Sequence, residues 1–360
     1  MTFNVVKKSM YAIVIFGFLV SFLQCKTEPK YEWSAVNDKL IKEHNLTVRE
    51  ITGLPEQVIA SNLEAAQVKN IQSLPDVKLG EGASAKLFWG TGTMVAVIQL
   101  DSNATIAEET LPADRFLFVL KGSVDQLIDG KMTTLIALDR EAPDGSHSGT
   151  PKTEFVYLEK GSKSALKAGA QGAKLLEIYS PFRLDYLQKA GITELPTEFA
   201  DITNPMAANV ETNKVYDLYD FHLTELAKGA YSRLISGKNT QLSFISMEPN
   251  STFPHHIHPE EQMMLVMRGG CEEILLDGKQ KMEVDDVVRI PGNFVHGAEI
   301  GDLGCDALDI FWPARPDYLE KEKSRLQTLN AIIPAGSKPQ LIVDGSKTKP
   351  SLTFSEGPKW

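Results

Sequence analysis

The stretch "KGAYSRLISGKNTQLSFISMEPNSTFPHHIHPEEQMMLVMRG", residues 228 to 269, repeats an earlier part of the same chain. "EGASAKLFWGTGTMVAVIQLDSNATIAEETLPADRFLFVLKG", residues 81 to 122, aligns with it without a gap at an offset of 147. Gly82 falls on Gly229, Gly90 on Gly237 and Gly122 on Gly269. Each copy then runs through a strand into Asp-Gly-Lys, at 129–131 and 277–279. Asp-Gly between apolar runs signals a hairpin. The copies meet again at "EIYSPFRLDYL" (177–187) and "DIFWPARPDYL" (309–319), now at an offset of 132. The difference, 147 − 132, gives the first copy 15 extra residues between these anchors. The polar, turn-rich "LDREAPDGSHSGTPKTE" (138–154) is the inserted loop.

Within each copy, short strands are punctuated by turn signals every 8–12 residues or so, the pattern of an all-β sandwich or barrel. The expected architecture is two tandem β-barrels with a few peripheral helices. The expected organisation is a targeting segment over 1–24, an extension over 26–75, a first barrel over 76–200, a second over 201–325 and a tail over 326–360. Residues 35 to 75 read as partly helical and are expected to pack outside the first barrel. "RPDYLEKEKSRLQTLNAII" (315–333) reads as a helix closing the second copy. The tail from 335, rich in Lys, Pro, Gly and Ser, is expected to be loose or to add an edge strand.

The 360 residues are 42% hydrophobic and 23% charged, enough for a sizeable core. A net charge of −10 lacks the basic footprint that nucleic acid requires. An anionic ligand must therefore be drawn by a local positive site. At the N-terminus, Lys7 and Lys8 precede "MYAIVIFGFLVSFL" (10–23), an apolar run suited to a signal segment and short for a spanning helix. It ends at Leu23-Gln24-Cys25. A cysteine there resembles the lipidation site of bacterial lipoproteins, with Gln24 where a small residue is usual. The reading is an exported, membrane-anchored lipoprotein with its lipid on Cys25, at the outer membrane, in the periplasm or at the cell surface; an ordinary secretory signal or an uncleaved anchor is the alternative. Cys271 and Cys305 fall in strands of one domain, as a disulfide or as buried free thiols.

Three of the seven histidines, His255, His256 and His258, fall within four positions. Side chains alternate along a strand, so His256 and His258 share a face and His255 points away, as a rim residue. Gln262 follows four residues later, past a turn at "PEE". In "DDVVRIPGNFVHG" a strand ends at Pro291-Gly292 and His296 follows a short loop. Three imidazoles and an amide oxygen suit one divalent transition metal ion, Zn, Ni, Mn or Fe, with positions left for water or substrate. His44, His147 and His222 lie outside this constellation and carry no assigned role.

HxH, a ligand four residues on, a glycine seven later, then a Pro-Gly turn and a histidine resemble the two-part signature of the cupin superfamily. That resemblance implies small β-barrels with the metal inside, here a tandem bicupin. Cupins usually carry Glu where this chain has Gln262. "HxHPxEQ" together with Asp309, Phe311 and Arg315 of "DxFxPxR" resembles the KdgF-type pectin-degradation cupins, which open the ring of unsaturated uronic acids. The motif match spans 252 to 319. It implies a substrate role for Arg315, Asp309 as first candidate for acid/base work, Phe311 beside it on one strand face and Tyr318 as a second acid/base candidate.

The offset tests the first copy. Glu109, Leu111 and Arg115 stand at the places of His256, His258 and Gln262, and Ser164 at that of His296. No ligand survives, so this degenerate barrel serves structure, substrate binding or dimerisation. It does keep Glu177, Tyr179, Arg183, Asp185 and Tyr186 at the places of Asp309, Phe311, Arg315, Asp317 and Tyr318. Features kept in a metal-free barrel can serve the fold, and an Arg and Asp two apart can be a structural ion pair.

With neutral ligands throughout, the metal keeps its full charge and favours an anionic, oxygen-rich ligand such as a sugar carboxylate. Bidentate recognition of that carboxylate suits Arg315. The expected activity is a metal-dependent lyase, a dehydratase acting on the non-reducing-end uronic acid of oligosaccharides. The architecture resembles bicupin lipoproteins of polysaccharide breakdown, ulvan among them. Ring-opening of 4,5-unsaturated uronates, a bicupin dioxygenase and a non-catalytic sugar-binding lipoprotein are the alternatives. The expected assembly is a monomer (a pseudo-dimer of barrels) or a homodimer.

Overall fold

A computed structural model describes residues 34–56, 59–138, 152–203 and 205–323. The signal segment, Cys25, most of the inserted loop (with His147) and the tail lie outside the described residues. The first described elements are helix α1 (Ser34–Glu43) and a short strand β1 (Lys69–Asn70). The first repeat supplies β2 (Asp76–Gly80), β3 (Ala83–Trp89), β4 (Met94–Leu100), β5 (Thr105–Thr110), β6 (Asp114–Ile128), β7 (Lys131–Leu138), β8 (Lys152–Leu158) and β9 (Lys163–Ser180). Helix α2 (Leu184–Lys189) and β10 (Val215–Asp217) follow. The second repeat supplies β11 (Leu223–Ala227), β12 (Ala230–Ser236), β13 (Gln241–Met247), β14 (Thr252–His256), β15 (Glu261–Leu275), β16 (Gly278–Glu283), β17 (Asp286–Ile290) and β18 (His296–Trp312). Residues 316–323 are helical, within the span expected. Among the described residues no helix is long and apolar enough to cross a membrane.

The fold is all-β, and the two repeats match strand for strand. Each supplies eight strands of a nine-stranded antiparallel sheet that folds over on itself. The fold-over is made on the long strands. β15 pairs with β17 and β18 along its first half and with β16 and β18 along its second. Between the halves the register slips at Gly269, with φ 68°. A Cβ there would stand 2.0 Å from the carbonyl oxygen of Gly304. Gly122 does the same in β6, with φ 75° and Gly172 in Gly304's place. Only glycine tolerates both the left-handed backbone and that approach, which is why the repeat keeps it.

One hairpin differs from its sequence reading. In the first repeat Asp129-Gly130 make the turn, both at positive φ. In the second, β15 runs to Leu275 and β16 starts at Gly278, so the turn is Leu276-Asp277, with Leu276 at φ 56°. The pairing of Leu275 with Gly278 sets this register, and Asp-Gly is displaced by one residue from the turn centre.

The burial pattern yields three cores. Alternate residues fill the inside of each barrel, around Leu117, Val119 and Leu175 in the first and Val266, Ala307 and Phe311 in the second. The opposite faces of the same strands pack on each other across the barrels, joining Phe88, Phe116, Phe118 and Ile178 to Leu242, Phe244, Leu265 and Ile310. The Phe118 and Phe244 rings meet at 5.0 Å. Strands buried on both faces read as continuous apolar runs, which explains "MMLVM" and "RFLFVL".

The extension corrects an expectation. Leu40, Val36, Ile41 and Leu46 pack on the second barrel's interior cluster, not on the first barrel. β1 extends the second sheet through β17, while β10, which precedes the second barrel, edges the first through β8. Residues near Ile59 to Asn62 join the first barrel, where Asn62 bonds the backbone of Leu87 and Trp89, and Lys86 of β3 donates to the carbonyl of Leu74. Each barrel thus borrows an edge strand from chain lying before the other.

Candidate metal centre

β14 and the start of β18 run side by side, with His256 opposite His296. His258 sits just beyond β14, held by its backbone carbonyl, which accepts from Asn293 N at 2.7 Å. The ligand atoms of His256, His258 and His296 lie within 4.8 Å of one another. His258 and His296 are each 1% exposed. The loop into His296 is braced by α1, since Asn37 donates to the carbonyl of Asn293 and accepts from Val295 N, both at 2.8 Å.

The tautomers follow from the second nitrogens. Nδ1 faces the carbonyl of Pro254 in His256 (3.1 Å), of Glu260 in His258 (2.9 Å) and of Phe294 in His296 (2.8 Å). A carbonyl only accepts, so each Nδ1 carries the proton and each Nε2 offers a lone pair. Burial holds all three rings below the usual histidine range, that of His296 down to about 4. Gln262 Oε1, also an acceptor, lies 3.1 Å from Nε2 of both His258 and His296. Three acceptors converging with no hydrogen between them fit a cation at their centre. The residues present therefore suit a divalent metal ion, held by three histidines and Gln262. The donor set does not choose among Zn, Ni, Mn and Fe.

Asp309 stands behind the amide. Its Oδ1 accepts from Gln262 Nε2 at 2.7 Å, and burial pushes its carboxyl up to about 7. Asp309 and Phe311 line one cavity with His256, Gln262, His296 and Tyr318, as two residues on one strand face should. Phe311 meets the His258 ring edge-on at 5.4 Å. Tyr318 is buried, its hydroxyl is pushed up to about 12, and the Arg315 guanidinium lies 3.8 Å over its ring. That makes Tyr318 a platform as well as a cavity wall.

Arg315 forms the expected ion pair with Asp317, Nη2 donating at 2.7 Å and Nε at 3.2 Å. Arg183 does the same with Asp185 in the first barrel, so this pair belongs to the fold. The remaining donors differ. Arg183 also grips both oxygens of Glu109, at 2.7 Å each. Glu109 stands where the second barrel has His256. Arg315 Nη1 is buried and has no partner among the described residues.

The first barrel's centre explains how it dispenses with metal. Arg115, at the place of Gln262, is fully buried and donates to Glu177 at 2.9 Å and Gln126 at 2.8 Å. A guanidinium fills the position where the second barrel gathers lone pairs.

Several residues escaped the sequence. Glu273, at 2% exposure, lines the cavity from β15, downstream of the slip at Gly269 that hides its facing from simple alternation. Its only sequence signal is its alignment with Gln126. His44 stacks on His255 at 4.1 Å, so neither is bland, and His255 is a rim residue covered by the extension. Arg49 reaches Glu260 and Asp317 at 3.5 and 3.4 Å, contacts that no local pattern encodes. Cys271 and Cys305 are buried free thiols.

The sequence matches no protein-family model, and no curated protein matches it. Solved structures do. Two variants of oxalate decarboxylase from Bacillus subtilis superpose with TM-score 0.50, at 14% and 13% identity. They cover 71% and 78% of this chain and 79% and 89% of theirs. AerE from Microcystis aeruginosa superposes with TM-score 0.49 at 11% identity, covering 67% of this chain and 97% of its own. At these identities the likeness is one of fold. This chain is two tandem cupin barrels, of which the second gathers the three histidines.

Proposed function

We propose that the protein is a metal-dependent carbohydrate-active lyase, a dehydratase acting on the non-reducing-end uronic acid of oligosaccharides. The observation that carries this reading is the unpaired, buried Nη1 of Arg315 near a cavity lined by His256 and His296. In the first barrel the equivalent arginine is answered by a carboxylate, that of Glu109. In the second, His256 stands there, and a carboxylate of the ligand takes the place of Glu109 at Arg315 Nη1 in this reading. Burying that guanidinium nitrogen unpaired is costly, on the order of 1–3 kcal/mol, and a bound carboxylate offsets it.

His256, His258, His296 and Gln262 would hold a divalent ion, which would supply Lewis acidity towards a bound carboxylate and so favour loss of the neighbouring C5 proton. Arg315 orients the carboxylate, with Asp317 holding its other nitrogens and Tyr318 its face. Asp309 is the base that accepts the C5 proton. Its raised pKa suits that task near neutrality, and Gln262 Nε2 fixes its orientation. Phe311 and Tyr318 keep water from the reacting carbons. Loss of the C4 substituent then gives a 4,5-unsaturated uronate. The proposal includes export, a lipid anchor at Cys25 and chemistry confined to the second barrel, with the first as its rigid partner.

The test is incubation of the chain from Lys26 onward with uronate-terminated oligosaccharides, followed by ultraviolet absorbance of the conjugated product. A rise abolished by chelator and by His256→Ala supports the dehydratase. A fall on already unsaturated substrates moves the assignment to ring-opening. No change on either substrate overturns uronate chemistry, and oxygen uptake then tests the dioxygenase reading.

A further inference from the structure

The second barrel buries a carboxyl group that the chemistry above leaves unused. Glu273 points into the cavity shared by His256, Gln262, His296 and Asp309. It is 2% exposed, and its Oε2 has no hydrogen-bond partner among the described residues. Burial pushes its carboxyl well above the usual range, with the Asp309 charge acting in the same direction. Burial with an unbonded oxygen favours the protonated form of such a carboxyl.

The chain contains its own control. The matching residue of the first barrel is Gln126, whose bonds are complete. Its Oε1 accepts from Arg115 at 2.8 Å, and its Nε2 donates to the Leu127 carbonyl at 2.7 Å and to Ser164 Oγ at 3.3 Å. The metal-free barrel thus folds with an amide at this place. The barrel with the histidines carries the isosteric acid and leaves one of its oxygens unbonded. Neither packing nor hydrogen bonding asks for that exchange, since a carboxyl buried without partners is destabilising.

We propose that Glu273 is a second catalytic residue, the general acid that protonates the departing C4 oxygen. The assignment rests on the dehydratase reading and deepens it. The C5–H bond breaks, its proton passes to Asp309, and its electron pair becomes the C4=C5 bond. The C4–O bond breaks with its pair going to oxygen, which takes the Glu273 proton and leaves as water. A proton then returns from Asp309 to Glu273, so nothing is consumed beyond the substrate. Two carboxyl groups in one cavity divide the work, one accepting a proton and the other supplying one.

The experiment compares two leaving groups in wild type and Glu273→Gln. Hydroxide needs an acid to leave, whereas the fluoride of a 4-deoxy-4-fluoro uronoside does not. The expected result is a fall of about 100-fold or more in kcat for hydroxide loss, the contribution typical of a positioned acid. Fluoride loss and metal content should stay within about twofold. Equal falls on both substrates, or no fall on either, overturn the assignment. Glu273→Asp, which keeps the acid but withdraws it, should give an intermediate rate on hydroxide alone. Infrared difference spectra of the metal-loaded proteins supply a readout independent of turnover. Wild type should show the C=O band of a protonated carboxyl that Glu273→Gln lacks, and its absence would also sink the assignment. If wild type acts on neither leaving group, the dehydratase reading has failed. If wild type is active and the variant is its equal, only the role of Glu273 has failed.

Discussion

Gln262 donates from Nε2 to Asp309 Oδ1 at 2.7 Å while its Oε1 stands 3.1 Å from the Nε2 atoms of His258 and His296. The hydrogen bond to Asp309 decides which end of the amide faces the histidines. A glutamate in its place could not donate to Asp309, and two carboxylates would face each other in a buried site. Gln262→Glu should therefore keep the metal, because a carboxylate is a good ligand, yet raise the pKa of the pair. We expect kcat to fall about 10- to 100-fold, the range typical of losing a ligand's supporting hydrogen bond. Metal content measured beside turnover checks this, and a variant as active as wild type would refute the role given to the amide.

Arg315 keeps one donor for the ligand while Asp317 holds the others. Lysine retains the charge but not the planar fork, so Arg315→Lys should not rescue binding. Losing one charge-assisted hydrogen bond of about 1.5–3 kcal/mol predicts a KM raised roughly 10- to 100-fold. Arg183→Lys in the first barrel should lower the melting temperature and leave KM unchanged. Steady-state kinetics on both variants decide the matter, and a shift of KM in Arg183→Lys would contradict the division of labour between the barrels.

The buried histidines make the metal-free protein sensitive to acid. His296 titrates at about 4 when folded and near 6.5 when unfolded. Between those values the unfolded chain binds more protons, so stability falls as pH drops from about 6.5 towards 4 and the loss is complete below. Asp309, raised to about 7, works in the opposite sense, because the folded state retains a proton that the unfolded chain releases above roughly 3.9. The clean measurement is a difference. Urea midpoints of wild type and His296→Asn, taken across this window without metal, should show the wild-type advantage shrinking towards acid. A constant gap would mean that the ring is not buried neutral.

Arg115 and Glu177 form a buried ion pair at 2.9 Å, both side chains 1% exposed. Arg115→Met strands the Glu177 carboxylate, at a cost of about 3–5 kcal/mol. Arg115→Met combined with Glu177→Leu should recover most of that loss, since apolar replacement of a whole buried pair is often neutral. Denaturation of the three proteins checks it, and equal losses in the single and double variants would show that the cost is one of packing. Metal content should not change in either, because the histidines lie in the other barrel.

Much of this protein was legible before folding. The repeat fixed the number of barrels, because a strand pattern recurring without a gap over 42 residues folds the same way twice. Gly122 and Gly269 aligned in the sequence, but only the structure shows that the long strands slip there. The spacing of His256, His258, Gln262 and His296 pointed to a candidate metal site because local backbone geometry brings the first three together and one strand pairing brings the fourth. What depends on contacts distant in sequence was not legible. Helix α1 braces the His296 loop through Asn37, some 256 residues away. The third core joins two outer faces whose apolar residues read equally well as interior ones. The same limit hid the contrast between the two arginines. Arg183 and Arg315 sit in one motif and share the pair with the next aspartate, and only the folded chain shows that Glu109 also answers the first while His256, in the same place of the second barrel, leaves Arg315 Nη1 unbonded. A neutral imidazole and a carboxylate are alike as points on a strand; they differ in what a buried guanidinium beside them still requires.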